Sequence, residues 1–575
     1  MDFNKLPTNS QAIINLTWAD LEPYASELES RPLSAASVEQ WLLDWTALSD
    51  RVSEIYSRLS LATTLNTADE QADRMFKNYL DNVYPAAMSA GQILKEKLLA
   101  SGLQPAGFEI PLRNMRAEAD LFRTENLPLL SEQQKLNMNY DKIIGAQSVE
   151  WEGQEFTISR IKQKLHNPDR SQREKIWRAM LGRQIADRQN INDLWKKYMQ
   201  IRASLAANAG KPSYREYIWQ QYLRFDYTPQ DCRSFHQAIE QVVVPAAKRI
   251  YERHRQQLGL DKLRPWDLSD GWFGRPVESG GQIPLKPFQS MDEFQKKAAS
   301  IFDHVDPQLG QYFRFMQVEK LLDLDNRKNK APGAYCTSFD VIRKPFVFMN
   351  AVGQHDDVQT LLHESGHAFH VFEASQLPYA QQLTVPMEFA EVASMGMELL
   401  AAPYLTRENG GYYTTAEAAR ARIEHLEGEI LFWPFMAVVD AFQHWVYENP
   451  KTGSDPASCD AQWTELWLRF IPSVDWSGLD EELKTGWHRK LHIHQVPFYY
   501  VEYGLAQLGS VQIFANSIKD QARAVASYRQ ALSLGGKVTL PELFASAGGK
   551  FGFDVDTVQQ AVTLMESTIE SLGKK

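Results

Sequence analysis

A chain of 575 residues is several times the length of a typical single domain, so two or more lobes are expected. Its 44% hydrophobic and 23% charged residues are ordinary for a folded protein and exclude a disordered chain. The formal net charge of -11, without any strongly basic patch, gives no support to a nucleic-acid partner, and no run of about 18 apolar residues offers a membrane span.

The amino terminus, Met1-Asp2-Phe3-Asn4-Lys5-Leu6-Pro7, has no basic stretch followed by an apolar run, so no secretory signal is expected. Cys232, Cys336 and Cys459 are widely spaced and form no disulfide framework. They fit a reducing compartment, and a cytoplasmic location is the expectation.

Over the first ~260 residues the pattern is helical. Ala35 to Thr63 and Ala72 to Leu99 place apolar residues three and four apart. Ser34 and Ser37 open the first segment, and Thr67 with Glu70 resembles a capping box. Ser148 to Lys164 is less regular and reads as a loop. The break Gly210-Lys211-Pro212-Ser213 marks a candidate lobe boundary, and the chain divides on this reading into a helical lobe, residues 1–200, and a second domain, residues 201–575. Leu260 to Ser290 is crowded with Pro and Gly and reads as an ordered loop carrying Trp266, Trp272 and Phe273.

A helical stretch, Met291 to Leu322, precedes the most strand-like part of the chain. Gly333 to Thr337 and Pro345 to Asn350 are short, rich in β-formers and bounded by turn residues, which predicts a small sheet. From Asp356 to Leu572 the helical pattern returns. The class is mainly α with one small sheet.

Asp356 and Asp357 are suited to the cap or first turn of a helix whose apolar face is Val358, Leu361, Leu362, Ala368, Phe369 and Phe372. On that helix His363 and His367 stand one turn apart on one face, where two imidazoles can ligate one zinc ion. Glu364, beside the first histidine, can reach a water on such a metal, and Gly366 admits the close approach of another backbone or a substrate. A catalytic zinc takes three protein ligands. Glu388, Glu391 and Glu398 on the next helical segment, Pro386 to Ala401, lie near one face, and spacing does not choose among them.

The run His363 to His370 (HESGHAFH), followed by Phe389 to Ser394 (FAEVAS), resembles the oligoendopeptidase F family of zinc metallopeptidases and its thimet oligopeptidase relatives. The resemblance carries the third zinc ligand to Glu391 and an orienting role to Glu398. His370 shares the ligand face three residues past His367 and reads as a histidine that supports a ligand or packs in the core, not as a ligand. Ser365 stands where the family commonly has a larger apolar residue. Near the carboxyl end, His492, His494, Phe498, Tyr499, Tyr500 and Tyr503 resemble a family cluster. By the thimet-type spacing the functional histidine is His494, and a gap of two residues moves it to His492. Tyr499 and Tyr503 are the implied oxyanion donors, while Ala506 stands where the thimet-type relatives carry another tyrosine. Gly333, Ala334 and Tyr335 resemble a cleft-edge strand that binds a peptide backbone by strand addition.

The resemblance implies a two-lobed helical ellipsoid with a small sheet beside a deep substrate channel. It implies one zinc ion, short unfolded peptides as partners, and hydrolysis of internal peptide bonds with Glu364 as general base. A zinc carboxypeptidase or dipeptidyl carboxypeptidase is the alternative, and a non-catalytic peptide-binding protein on the same scaffold a more distant one.

Overall fold

Apolar residues recurring at helical spacing make most of the chain helical, and the computed structural model, which describes residues 1–277, 285–331 and 333–574, is mainly α with two small sheets. The elements used below are, in chain order, α1 (Val38–Leu65), β1 (Ser148–Trp151), β2 (Gln154–Thr157), α2 (Pro229–Ala238), β3 (Leu322–Asp325), β4 (Tyr335–Phe339), β5 (Lys344–Ala351), α3 (His355–Ala374), α4 (Met387–Ala401), α5 (Thr415–Glu448), α6 (Leu491–Gln495) and α7 (Val501–Lys519).

Two units interleave along the chain. The first comprises Met1–Ala119, Pro284–Ala418 and Gly509–Phe551, the second Asp120–Ile283, Ala419–Leu508 and Gly552–Lys575. Residue 200 falls inside the helix Arg188–Asn208, and the Gly210 to Ser213 break lies within the second unit.

In the first unit, Ser37 caps α1 and its hydroxyl accepts the Ser34 N–H at 3.0 Å. The expected helix Ala72 to Leu99 is two helices, Glu70–Asn82 and Tyr84–Ala100, parted at Val83 where Pro85 lacks an N–H. Thr67 and Glu70 form no capping box. Asp69 caps that helix instead, accepting from Gln71 and Ala72 N–H at 2.9 and 3.0 Å, while the Thr67 hydroxyl donates to the Asn329 carbonyl at 2.9 Å. The predicted small sheet is present, with β4 antiparallel to β5, and it gains a third strand, β3, parallel to β5. The expected helix Met291 to Leu322 is two helices, Met291–Val305 and Pro307–Val318, followed by the Leu-Asp-Leu-Asp alternation of β3.

In the second unit, Ser148 to Lys164 is not a loop. It is the hairpin β1–β2 followed by the helix Ile158–Lys162. Glu152 and Gly153 form its two-residue turn, both with positive φ (53° and 75°), the turn whose twist suits paired strands. Part of the Leu260 to Ser290 loop, residues 278–284, lies outside the described residues. Within it Asp267 is fully buried and accepts from the guanidinium groups of Arg170 and Arg173 at 2.8 to 3.1 Å. Among the described residues no helix is long and apolar enough to cross a membrane.

Candidate metal centre

α3 begins where the acidic pair predicts. The Asp357 carboxylate accepts the N–H groups of Val352, Gly353 and Gln354, each at 2.8 Å. Val358, Leu361, Leu362, Ala368 and Phe369 are buried and fix the rotation of the helix. His363 and His367 leave its other side with ring centroids 5.0 Å apart. α4 lies against α3 at Gly366, where a Cβ would stand 2.4 Å from the Ala393 carbonyl oxygen. From another helix of the same unit the Tyr528 hydroxyl donates to that carbonyl at 2.6 Å.

This close approach brings Glu391 Oε2 to 3.5 Å from His363 Nε2 and 3.7 Å from His367 Nε2. The donor atoms of the three residues all lie within 4.8 Å of one another. Ligands held at the ~2.0–2.2 Å of zinc coordination on a tetrahedron stand about 3.3–3.6 Å apart, so these imidazoles and this carboxylate fit a zinc ion in spacing and in donor type. Glu398 Oε1 accepts from His363 Nδ1 at 2.7 Å, which fixes the tautomer and leaves Nε2 able to coordinate. Glu388 is buried but lies outside this group of donors. His370 is buried edge-on to Phe389, with centroids 6.3 Å apart, and is a core residue.

The field of the site is strongly negative. Burial opposes a charge on His363, yet the Glu398 hydrogen bond and the charges of Glu398, Glu391 and Glu364 outweigh it and push that histidine up to about 9. The same carboxylates favour positive charge at this site. Burial, then the neighbouring His363 and His370, lowers His367 to about 3, and burial alone lowers His370 to about 4. Burial raises Glu364 to about 7; His363 opposes the rise, and Glu391 and Glu398 add to it. The Cys336 backbone of β4 lies beside the Glu364 carboxyl and also opposes the rise, and Glu364 Oε2 has no hydrogen-bond partner among the described residues.

Among the described residues β4 pairs with β5 on one side only and is an edge of its sheet. Gly333, just before it, has φ +99° and nothing within 4 Å of where a Cβ would stand. The Tyr335 ring stacks on Phe348 at 4.8 Å and its hydroxyl lies 2.5 Å from the Thr64 hydroxyl. Glu364 and the free edge of β4 are thus linked through the Cys336 backbone.

In the second unit the structure separates the two histidines of α6. His494 is fully buried, stacked between Tyr140 (4.6 Å) and Trp487 (5.7 Å), with Trp195 edge-on at 5.6 Å. Its carbonyl accepts from Arg202. A substrate-positioning role for His494 does not fit this cage. His492, only half-buried, has Tyr499, Tyr500 and Tyr503 around it with ring centroids at 6.2, 4.9 and 6.0 Å. Tyr499 and Tyr503 are also half-buried and lie 5.5 Å apart, ring centre to ring centre.

The model of peptidase family M3 matches residues 163–562, more than half of the chain. The chain belongs to peptidase family M3. The oligoendopeptidase F homolog of Mycoplasma pneumoniae (strain ATCC 29342 / M129 / Subtype 1) is 26% identical over 374 residues, 61% of this chain and 58% of that protein. The alignment thus spans less than two thirds of that curated relative. A solved structure described as an oligoendopeptidase F is 25% identical, covers 99% of each chain and superimposes with a TM-score of 0.85. PZ peptidase A with inhibitor 2 is 24% identical over 99% of each chain, with a TM-score of 0.84.

All the candidate residues lie inside the segment matched to family M3. Two supports in this M3 chain escaped the sequence reading. Ser394 Oγ donates to Glu391 Oε2 at 3.0 Å, and the three-residue spacing on one helix is the signal that would have found it. The Cys336 backbone beside Glu364 comes from 28 positions earlier in the chain and left no local signal.

Proposed function

We propose that this M3 protein is a zinc-dependent oligoendopeptidase that cuts internal bonds of short unfolded peptides. In this reading His363, His367 and Glu391 hold one zinc ion and Glu364 is the general base. The observation that carries it is the convergence of two imidazole nitrogens and one carboxylate oxygen within 4.8 Å, beside a buried glutamate. Zinc, when bound, supplies a Lewis acid that polarises a carbonyl and acidifies water.

The chain's own residues do the rest. Glu364 accepts the proton of the attacking water and delivers it to the leaving amine. The Cys336 backbone beside Glu364 favours its charged form. Glu398 keeps His363 in the tautomer that presents Nε2, and Ser394 orients Glu391. An extended peptide adds to the edge of β4 at Gly333, Ala334 and Tyr335 through its backbone, which favours unfolded substrates. Family resemblance assigns oxyanion donation to Tyr499 and Tyr503, and the half-buried position of His492 favours it over His494 for substrate positioning. A cytoplasmic role in peptide turnover follows from the cysteine content and the resemblance.

The test is mass spectrometry of mixed short peptides and one folded protein incubated with the zinc-loaded enzyme, with Glu364→Gln as control. Internal cuts confined to the short peptides are expected. The variant should lose about 10²–10⁴-fold in turnover while keeping its metal and peptide affinity. Near-full turnover by the variant would overturn the role of Glu364. Cuts only one or two residues from a terminus would replace the endopeptidase with an exopeptidase.

A further inference from the structure

The second unit contains another set of metal-ligating side chains that the proposed peptidase chemistry does not use. Cys232 and His236 are four residues apart on α2, and Asp440 and His444 are four apart on α5. Each pair therefore projects from one face of its helix. Cys232 and Asp440 are fully buried, and His444 and His236 are 3% and 5% exposed. One donor atom from each of Cys232, Asp440 and His444 lies within 4.8 Å of the others.

The polar bookkeeping of this cluster is incomplete. His236 Nε2 is 2.8 Å from Asp440 Oδ2, and this is a hydrogen bond. His444 Nε2 is 3.4 Å from the same oxygen but is not aligned for one. Both ring nitrogens of His444, and Asp440 Oδ1, have no hydrogen-bond partner among the described residues. The Trp219, Phe498 and Phe470 rings pack against the two histidines and make the surroundings apolar. A buried carboxylate and imidazole left short of partners in such a place cost several kcal/mol unless something else satisfies them.

We propose that Cys232, Asp440 and His444 form a second, structural metal site for a zinc-type divalent cation. His236 is a positioning residue that holds the Asp440 carboxylate toward the ion. The thiolate and the carboxylate together carry two negative charges, which a divalent ion neutralises within the core. Sulfur, nitrogen and oxygen donors select zinc or cobalt over magnesium or calcium. Burial of every ligand removes access for substrate, so the ion's task is to fasten α2 to α5. The cysteine forms no disulfide that would preclude ligation. α2 runs directly into a π-helical turn, Ile239–Val243, a distortion that recurs beside functional sites.

Sulfur gives the test its discrimination, because the His363, His367 and Glu391 site contains none. The full-length protein is stripped of metal, reloaded with zinc or with cobalt(II), and measured for bound metal per chain and for near-ultraviolet absorbance. Two equivalents of zinc and a thiolate-to-cobalt charge-transfer band are expected for the wild type. His367→Asn should drop to one equivalent and keep the band, whereas Cys232→Ser should drop to one and lose it. One equivalent and no thiolate band in the wild-type protein would overturn the second site whether or not Cys232→Ser folds. Loss of metal only from His363, His367 and Glu391, with the band retained, would instead count against the peptidase reading.

Discussion

Gly366→Ala adds a single methyl group to α3 and should weaken the metal centre without touching a ligand. The new Cβ would meet the Ala393 carbonyl oxygen at 2.4 Å, Ser394 Cα at 2.7 Å and the Ala393 carbonyl carbon at 3.0 Å. These are backbone atoms of α4 and cannot rotate away. Restoring an ordinary carbon-to-oxygen contact of about 3.4 Å requires the helices to part locally by about 1 Å. α4 cannot easily retreat, because Tyr528 already donates to the same carbonyl at 2.6 Å. Zinc distances tolerate about 0.2 Å, and Glu391 lies only two residues before Ala393, so the triad opens beyond that tolerance. Two effects oppose each other in stability. Alanine favours a helix over glycine by about 1 kcal/mol, whereas overpacking a core costs about 1–3 kcal/mol. The expected net result is a small loss of stability with a large loss of zinc affinity, tenfold or more. Chelator competition reads the affinity, and denaturant unfolding of the metal-free protein reads the stability. Unchanged zinc affinity, with stability raised by the helix propensity of alanine, would refute the claim that close helix approach sets the ligand geometry.

Further outcomes follow from individual contacts. Glu398→Gln removes the charge that holds His363 in its tautomer, and zinc affinity by chelator competition should fall about 10- to 100-fold; wild-type affinity would show that the 2.7 Å contact is incidental. Glu427 should dominate part of the acid unfolding of the second unit. It is buried, which opposes its charge, but His254 at 3.1 Å and Arg275 at 2.5 Å outweigh this and lower it from 4.5 to about 2. Its stabilisation, on the order of 3 kcal/mol, is full above pH ~4.5 and lost as pH falls toward 2. Denaturant unfolding across pH should therefore show Glu427→Gln less stable at neutral pH and flatter on the acid limb; an acid limb identical to wild type would contradict the assignment.

Much of α3 was legible because its signals are local. The Asp357 cap, the apolar face from Val358 to Phe369 and the four-residue histidine spacing all lie within one helix, and helical geometry converts spacing directly into direction. The pairing of β4 with β5 was legible for the same reason, since turn residues bound two short β-rich runs. β3 was not. Four residues of alternating Leu and Asp next to a helix carry too little periodicity, and what makes them a strand is a parallel neighbour, β5, some twenty residues later. The β1–β2 hairpin hid behind Glu152, a residue that rarely takes positive φ and so does not announce a turn.

The two ambiguities about single residues have one cause. Glu388, Glu391 and Glu398 share a face of α4, so local spacing could not rank them. The ranking comes from the height at which α3 crosses α4, and that height is set at Gly366 against Ala393. With the crossing fixed there, Glu391 meets both Nε2 atoms, while Glu398, two turns on, meets the far nitrogen of His363. His492 and His494 pose the converse problem. Two residues on a helix point about 200° apart, so one of them must face the core, and a motif spacing that slips by two residues exchanges their roles. What buries His494 rather than His492 is the aromatic cage of Tyr140, Trp195 and Trp487. Two of those rings come from segments about 300 residues or more earlier in the chain. A sequence motif records which residue types recur; the packing of distant helices selects which copy of the type is buried.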